Sequence, residues 1–313
     1  MLAFVFPGQG SQAVGMGADL AGRFPVCRET FQEADDRLGF ALSRLCFEGP
    51  EQELQLTANA QPAILTASVA ACRALASLGI KPAVVAGHSL GEYSALVAAG
   101  ALSFGDAVTL VRHRGTYMQE ATPVGVGAMA AVMGLDAAVL DEICRRAAGG
   151  NEIVSPANLN APGQTVISGH AAAVDRAITL AQEAGARRAV KLAVSAPFHC
   201  ALMQPAADRL GRDLAAARFH DLSVPLVANV TAQALRSGDA AREALRRQVT
   251  APVLWEQSVS ALRAMGVTRA LEVGPGRVLM GLMKRIEPDI ALAPAGDAAS
   301  IEAAGIFAAG ASS

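Results

Sequence analysis

The sequence predicts an α/β chain: a parallel-sheet core interrupted by a smaller antiparallel unit. Three observations carry this. Short apolar runs of strand type (LAFVF, AVVA, ALEV) recur between longer stretches of helical spacing. One run, Ala83–Ala86, leads straight into Gly-His-Ser-Leu-Gly and an Ala-rich segment of helical character. Between these flanks lies a block whose element order reads β-α-β-β-α-β.

Taken in order, Leu2–Phe6 is a buried-type strand that breaks at Pro7-Gly8. Glu29–Leu45 and Ala58–Leu78 carry apolar residues at helical spacing. The strand, turn and helix around Ser89 come next. Phe104–Glu120 reads as a helix whose start is marked by Ser103 with Asp106 three residues on. The Gly- and Pro-rich ATPVGVG then marks a boundary. Beyond it come strand AMAAVMG, helix Ala137–Ala148, strands near Ile153–Leu159 and Thr165–Ser168 around the turn PGQ, helix Ala171–Ala184 and strand Arg188–Leu192. That order is the ferredoxin-like unit. The α/β style then returns: helix Ala201–Ala217, strand VPLVANV, helices Ala240–Val249 and Ser258–Met265, and the strand and turn ALEVGPG. Both flanks are needed for one parallel sheet, so the small unit is an insertion. The expected division is 1–124 with 193–313 for the large domain and 125–192 for the small one. The Ala/Gly-rich tail after Gly296 is expected to fray.

With 52% hydrophobic and 17% charged residues the chain has ample material for a buried core, which argues against disorder. A net charge of −2 gives no support to a nucleic-acid or membrane-surface role. Cys27, Cys46, Cys72, Cys144 and Cys200 form no C-x-x-C pair and no zinc spacing, so no metal is expected and the thiols fit a reducing cytosol. Cys200 follows a histidine of interest, but free cysteines mostly behave as small core residues. MLAFVFPGQGSQ has no basic leader, and the apolar runs are too short or too interrupted for a membrane span, so a soluble cytoplasmic protein is expected.

The chemistry centres on Ser89. A sharp strand-to-helix turn lifts such a serine towards a pocket, and a neutral hydroxyl there needs a base. Of the histidines, His88 should point away from the turn, His170 sits at a helix mouth in the small unit, and His113 and His220 lie in polar surroundings. His199 follows Pro197 at a junction before a helix, where it can lean across a pocket; an ordinary loop histidine would look the same. No acid stands in a comparably marked turn to orient the imidazole; its Nδ1–H could instead go to a backbone carbonyl, and that choice would make a dyad. The oxyanion needs two N–H donors: Leu90 after the serine, and Gly8-Gln9-Gly10 after the first strand, which could equally be an ordinary turn. Arg114 lies on a largely apolar helical face and wants a carboxylate, either an internal Asp or Glu or that of a substrate.

Together FPGQGSQ, GHSLGEYSAL, RHRGTYMQE, GAMAAVMGL, NAPGQTVISG, PFHCALM and EVGPGRVL resemble the malonyl-CoA:acyl-carrier-protein transacylases, in order from Phe6 to Leu279. The resemblance implies an α/β-hydrolase-like core with a ferredoxin-like subdomain. It implies Ser89 as acylated nucleophile, His199 as general base and acid, Arg114 as partner of the malonyl carboxylate, and Gln9 and Leu90 as oxyanion donors. Gln248, in RRQVTAPVLW, matches the position whose carbonyl orients the histidine, and Asn229 matches a further pattern position at the substrate site. Phe198 resembles the bulky residue of malonyl-selective members and would crowd an α-methyl branch, although the segment is SAPFH rather than the fuller polyketide pattern, so discrimination against methylmalonyl is expected to be partial.

The implied reaction moves malonyl from coenzyme A to the phosphopantetheine thiol of an acyl carrier protein, for fatty acid synthesis or for a polyketide line. It needs no cofactor, malonyl-CoA being a substrate, and the family suggests a monomer. Arg187, Arg188 and Lys191, or Lys284 and Arg285, could line the carrier's approach, although a solvated charged face is the favoured reading of each. The rivals are a serine hydrolase or thioesterase, which would need a water path and no Arg114, and a non-catalytic carrier-protein binder.

Overall fold

In the computed structural model, which describes residues 1–194 and 196–310, the run Leu2–Phe6 forms β1 at the middle of a six-stranded sheet. Its side chains alternate between two apolar layers: Phe4 and Phe6 enter one core, Ala3 and Val5 the other. Burial on both faces is what a parallel strand requires, and it explains the unbroken apolar run. Five helices follow, α1 (Ala18–Arg23), α2 (Pro25–Leu38), α3 (Leu42–Glu48), α4 (Glu51–Gln55) and α5 (Thr57–Ser77). The chain returns to the sheet as β2 (Val84–Gly87), parallel to β1, and leaves it through α6 (Gly91–Ala98) and α7 (Phe104–Glu120). The Ser103 hydroxyl accepts from the Asp106 N–H at 3.1 Å, the N-cap that the sequence marks.

The chain from Gly127 to Lys191 makes a second sheet. β3 (Gly127–Met133), α8 (Ala137–Ala147), β4 (Val154–Ala161), β5 (Gln164–His170), α9 (Ala171–Glu183) and β6 (Arg188–Lys191) assemble in the order β4-β5-β3-β6, every pairing antiparallel. One face is covered by α8 and α9: Leu140, Ile143, Cys144 and Ala147 recur at helical spacing and meet Val132 and Ile167. From the other face Met129 and Val166 join the main core, with Ala196, Phe198 and Met203. The small sheet thus leans on the segment that carries His199. Backbone bonds between Val253 and both Ala157 and Leu159, at 2.9 Å, tie β4 to the large unit.

After a 3₁₀ turn at Ala201–Met203 come α10 (Gln204–Ala216), β7 (Leu226–Val227), β8 (Ala234–Leu235), α11 (Gly238–Gln248), α12 (Trp255–Ala264), β9 (Arg269–Val273), α13 (Val278–Ile286), β10 (Ala291–Ala295) and α14 (Ala298–Ala309). The large sheet runs β10-β9-β1-β2-β7-β8, parallel throughout except for β7 with β8. Pro294 is accommodated because β10 is an edge.

Three expectations are corrected. The helix expected over Glu29–Leu45 is two: Gly39, at φ 73°, ends α2, and the Asp35 carboxylate then accepts from the Ser43 N–H and hydroxyl. The strand VPLVANV is only two residues long, because the chain turns at once through Ala228–Gln233 and Asn229 leaves the sheet for the Ser89 turn. The tail does not fray up to residue 310. Asp297 and Ser300 form a capping box, Ile301 and Ala304 are buried, and Gly310 closes α14. An Ala-rich helix with small residues on every face gives a weak periodic signal.

Candidate active site

The turn at Ser89 is dictated by close packing. A methyl group on Gly87 would lie 2.0 Å from the carbonyl carbon of Gly91, one on Gly91 2.0 Å from the Phe6 oxygen, and one on Gly8 2.5 Å from the His88 oxygen. Only glycine lets β2 enter α6 this sharply while the loop after β1 lies against it. Ser89 itself takes φ 51°, a left-handed conformation that the surrounding contacts must hold. Asn229 provides one of them: its Oδ1 accepts from the Ser89 N–H at 2.7 Å, and its Nδ2 donates to the Gly87 carbonyl at 2.6 Å.

His199 also has positive φ, 59°. Its Nδ1 lies 2.8 Å from the Gln248 carbonyl oxygen and its Nε2 2.7 Å from Ser89 Oγ. A carbonyl can only accept, so Nδ1 bears the proton and Nε2 is left with a lone pair facing the serine hydroxyl. Burial, with the Arg114 charge second, holds the imidazole down at about 3, so it is neutral through the physiological range.

Arg114 is 2% exposed and reaches Ser89 from α7. Nη2 donates to Ser89 Oγ and to Gln248 Oε1, each at 3.0 Å, and Nη1 to Gln61 Oε1 at 2.8 Å. Of the two partners the sequence left open, the internal acid is not paired with it. Among the described residues its acceptors are all neutral, and the one carboxylate that acts on its charge is the fully buried Glu92. A buried guanidinium whose hydrogen-bond acceptors are all neutral is chemically suited to an anion placed beside the serine.

Gly91 and Glu92 donate their N–H groups to His88 and Ser89, while the Leu90 N–H has no acceptor among the described residues, and neither has that of Gln9. Gln9 lies exposed on the loop after β1, its side chain donating to Thr57 Oγ1 at 3.2 Å. Both are candidate oxyanion donors. Phe198 is buried beside His199, sharing a core with Leu90 and Met129; Ser195, in the same SAPFH segment, lies outside the described residues.

The other histidines stand apart from the serine. His88 turns from the elbow to Asn160 of β4, at 2.8 Å, and against the Trp255 ring. His170 accepts from the Ile153 N–H, His113 pairs with Asp213, and His220 is exposed. Cys200 is buried, its thiol pushed up by burial and donating to the Pro197 carbonyl, which makes it an inert core thiol. Of the basic clusters, Lys191 pairs with Asp175, and Arg285 donates to Gln164 and Pro162; Arg187, Arg188 and Lys284 are exposed. Among the described residues no three His, Cys, Asp or Glu side chains are grouped to hold a metal, and no helix is long and apolar enough to cross a membrane.

Sequence reasoning missed Gln61 and Glu92. Glu92 is fully buried in the first turn of α6, where burial raises its carboxyl to about 7 against the pull of bonds from Gln248 and Asn229 and the Arg114 charge. The available signal was a polar residue inside an apolar helix, AQPAIL in one case and GEYSAL in the other.

Comparison with known proteins agrees with this geometry. The acyl transferase domain family matches residues 3–300. The chain is 55% identical over 285 residues to the malonyl CoA-acyl carrier protein transacylase of Escherichia coli K12, covering 91% of this chain and 92% of the relative. It is 49% identical to that of Bacillus subtilis 168, covering 97% and 96%. Among solved structures, an acyl carrier protein S-malonyltransferase from Vibrio cholerae superposes with a TM-score of 0.95 at 49% identity, covering 97% and 99%. A malonyl-transacylase in complex with its type II PKS acyl-carrier protein superposes at 0.94 with 50% identity, covering 97% and 98%.

Proposed function

The chain belongs to the malonyl CoA-acyl carrier protein transacylases of the acyl transferase family, and from that premise we propose that it passes malonyl from coenzyme A to the phosphopantetheine thiol of an acyl carrier protein through an ester on Ser89, for fatty acid biosynthesis. The observation that carries this reading is the Arg114 guanidinium 3.0 Å from a serine oxygen that also lies 2.7 Å from a histidine nitrogen. A plain hydrolase has no use for a buried cation at that place.

His199 Nε2 takes the Ser89 proton as Oγ attacks the thioester carbonyl. The oxygen of the tetrahedral adduct is received by the Gln9 and Leu90 N–H groups. The C–S bond breaks, and the proton on Nε2 passes to the departing thiolate. The carrier thiol then repeats these steps in reverse. Gln248 holds the imidazole by its main-chain carbonyl, a weaker counterpart than a carboxylate. Arg114 binds the malonyl carboxylate, Phe198 narrows the space for an α-methyl branch, and Asn229 acts on the turn backbone rather than on substrate. Exchange between two thioesters is close to balance, so no cofactor is called for.

We read residues 1–124 and 193–313 as an α/β-hydrolase-like domain and 125–192 as a ferredoxin-like insert. The parallel sheet with its serine turn supports the first; the four-strand order β4-β5-β3-β6, which in strand numbers of the insert is 2-3-1-4, supports the second. A cytoplasmic monomer completes the proposal. The solved complex with a type II PKS acyl-carrier protein favours, as a second reading, a polyketide carrier as acceptor.

Intact mass after incubation with malonyl-, methylmalonyl- or acetyl-CoA tests this. A malonyl adduct mapped to Ser89, discharged faster to a carrier thiol than to water, is expected. An adduct lost chiefly to water would instead make the protein a hydrolase.

A further inference from the structure

Glu92 is the one carboxylic acid of α6, fully buried, and the reaction steps do not use it. Its Oε2 accepts from Gln248 Nε2 at 2.6 Å and from the Asn229 N–H at 3.3 Å, while its Oε1 has no partner among the described residues. Gln248 Nε2 also donates to the Ser89 carbonyl at 3.0 Å, and Gln248 Oε1 accepts from Arg114 Nη2. A carboxamide can present either end to a neighbour. An ionised carboxylate only accepts and a guanidinium only donates, so a glutamine between them has one orientation. Resting on the malonyl-transfer reading, we propose that Glu92 is a positioning residue for diacid binding: its carboxylate sets which way the Gln248 carboxamide faces, and through it holds Arg114 at Ser89.

The geometry distinguishes this from a plain ion pair, since no Glu92–Arg114 salt bridge forms among the described residues and the amide stands between them. It also gives Gln248 two separate tasks: its main chain serves His199 and its side chain serves Arg114. An acid in the first turn of α6 gains from the helix N-terminus as well, so a purely structural role is the rival to be tested. In Glu92→Gln the shape is kept, but the new side chain both donates and accepts, so the Gln248 NH₂ loses its charged acceptor and its orientation is left to the weaker hold of the Ser89 carbonyl and Arg114.

The experiment is steady-state malonyl transfer by the full chain at pH 8 for wild type, Glu92→Gln, Arg114→Ala and the double variant, with a thermal midpoint for each. Glu92→Gln is expected to raise KM for malonyl-CoA about tenfold, with a smaller change in kcat, and to add nothing to the loss in Arg114→Ala. Wild-type KM in Glu92→Gln, a loss that multiplies in full with that of Arg114→Ala, or a lowered thermal midpoint as the only change would each overturn the proposal. The NMR signals of the Gln248 side-chain NH₂, assigned by their absence in Gln248→Ala, test the contact without altering Glu92. One proton shifted well downfield is expected, and a pair at the ordinary glutamine position would overturn it. A wild type that takes no malonyl while that shifted proton is present would bring down the functional reading and leave the Glu92–Gln248 contact standing.

Discussion

The turn that presents Ser89 and the polar network behind it are built in opposite ways. The turn is local: Val84 to Gly91 supply its strand, its bend and its helix start, and backbone contacts from the β1 loop close it. The network is assembled from Gln61, Glu92, Arg114, Asn229 and Gln248, which arrive on five separate segments and meet only because the sheet and its helices bring them together. Shape governs the first and donor–acceptor matching the second, so the two regions should fail differently when disturbed.

The largest effect is expected in the turn. Gly91→Ala drives a methyl group into the Phe6 carbonyl, backbone against backbone with no flexible end to move. A loss of about 3 kcal/mol or more is expected, read as a lowered denaturant midpoint or as insoluble protein. Wild-type stability would mean that steric necessity does not define the turn. In the network the first loss is function: Arg114→Ala is expected to lower malonyl transfer roughly 30-fold or more while sparing acetyl transfer, measured as the ratio of kcat/KM for the two thioesters. Equal loss of both would mean that the guanidinium serves the serine and not the carboxylate.

Asn229→Ala lies between the two regions, because Asn229 joins them. It leaves the Ser89 N–H and the Gly87 carbonyl without their partner, and about 1–3 kcal/mol of stability is expected to go, with slower acylation of Ser89. Unchanged acylation would show that the positive φ of Ser89 needs no such tether.

The smallest effect is a pH dependence. In the folded chain His199 takes a proton only near pH 3, whereas the unfolded chain takes it near its ordinary value of 6.5. The unfolded state therefore binds more protons in that window, and stability falls as pH falls, by about 1 kcal/mol between pH 6.5 and 5.5. Glu92, raised from 4.5 to about 7, acts in the opposite sense over its own window, so the quantity to measure is the difference between wild type and His199→Asn. Parallel stability curves for the two proteins would contradict a buried neutral base.

The same contrast explains what could be read before any coordinates. Ser89, its glycines and Leu90 follow from spacing alone, because steric demands within eight residues leave a local signature. The element order β-α-β-β-α-β of the small sheet is legible too, because strand and helix periods each show within a short window. His199 looks like an ordinary loop histidine from its own neighbourhood, since nothing near residue 199 records what stands opposite it. Glu92 and Gln61 were passed over because a polar residue on a buried helix declares only that it has partners, not which. Residues 298–309 were misjudged because a helix of small side chains buries one face without showing a stripe.

Ser89 and His199 share one more property, since both are L-residues held at positive φ. That limits what redesign can place there. Threonine offers the same alcohol as serine, yet its branched Cβ is poorly tolerated in the left-handed region, so it would strain the fold before its chemistry could be tried. Cysteine, unbranched at Cβ, fits the backbone better. An engineer seeking a different nucleophile or base in this scaffold is therefore choosing from a short alphabet, one written by the main chain.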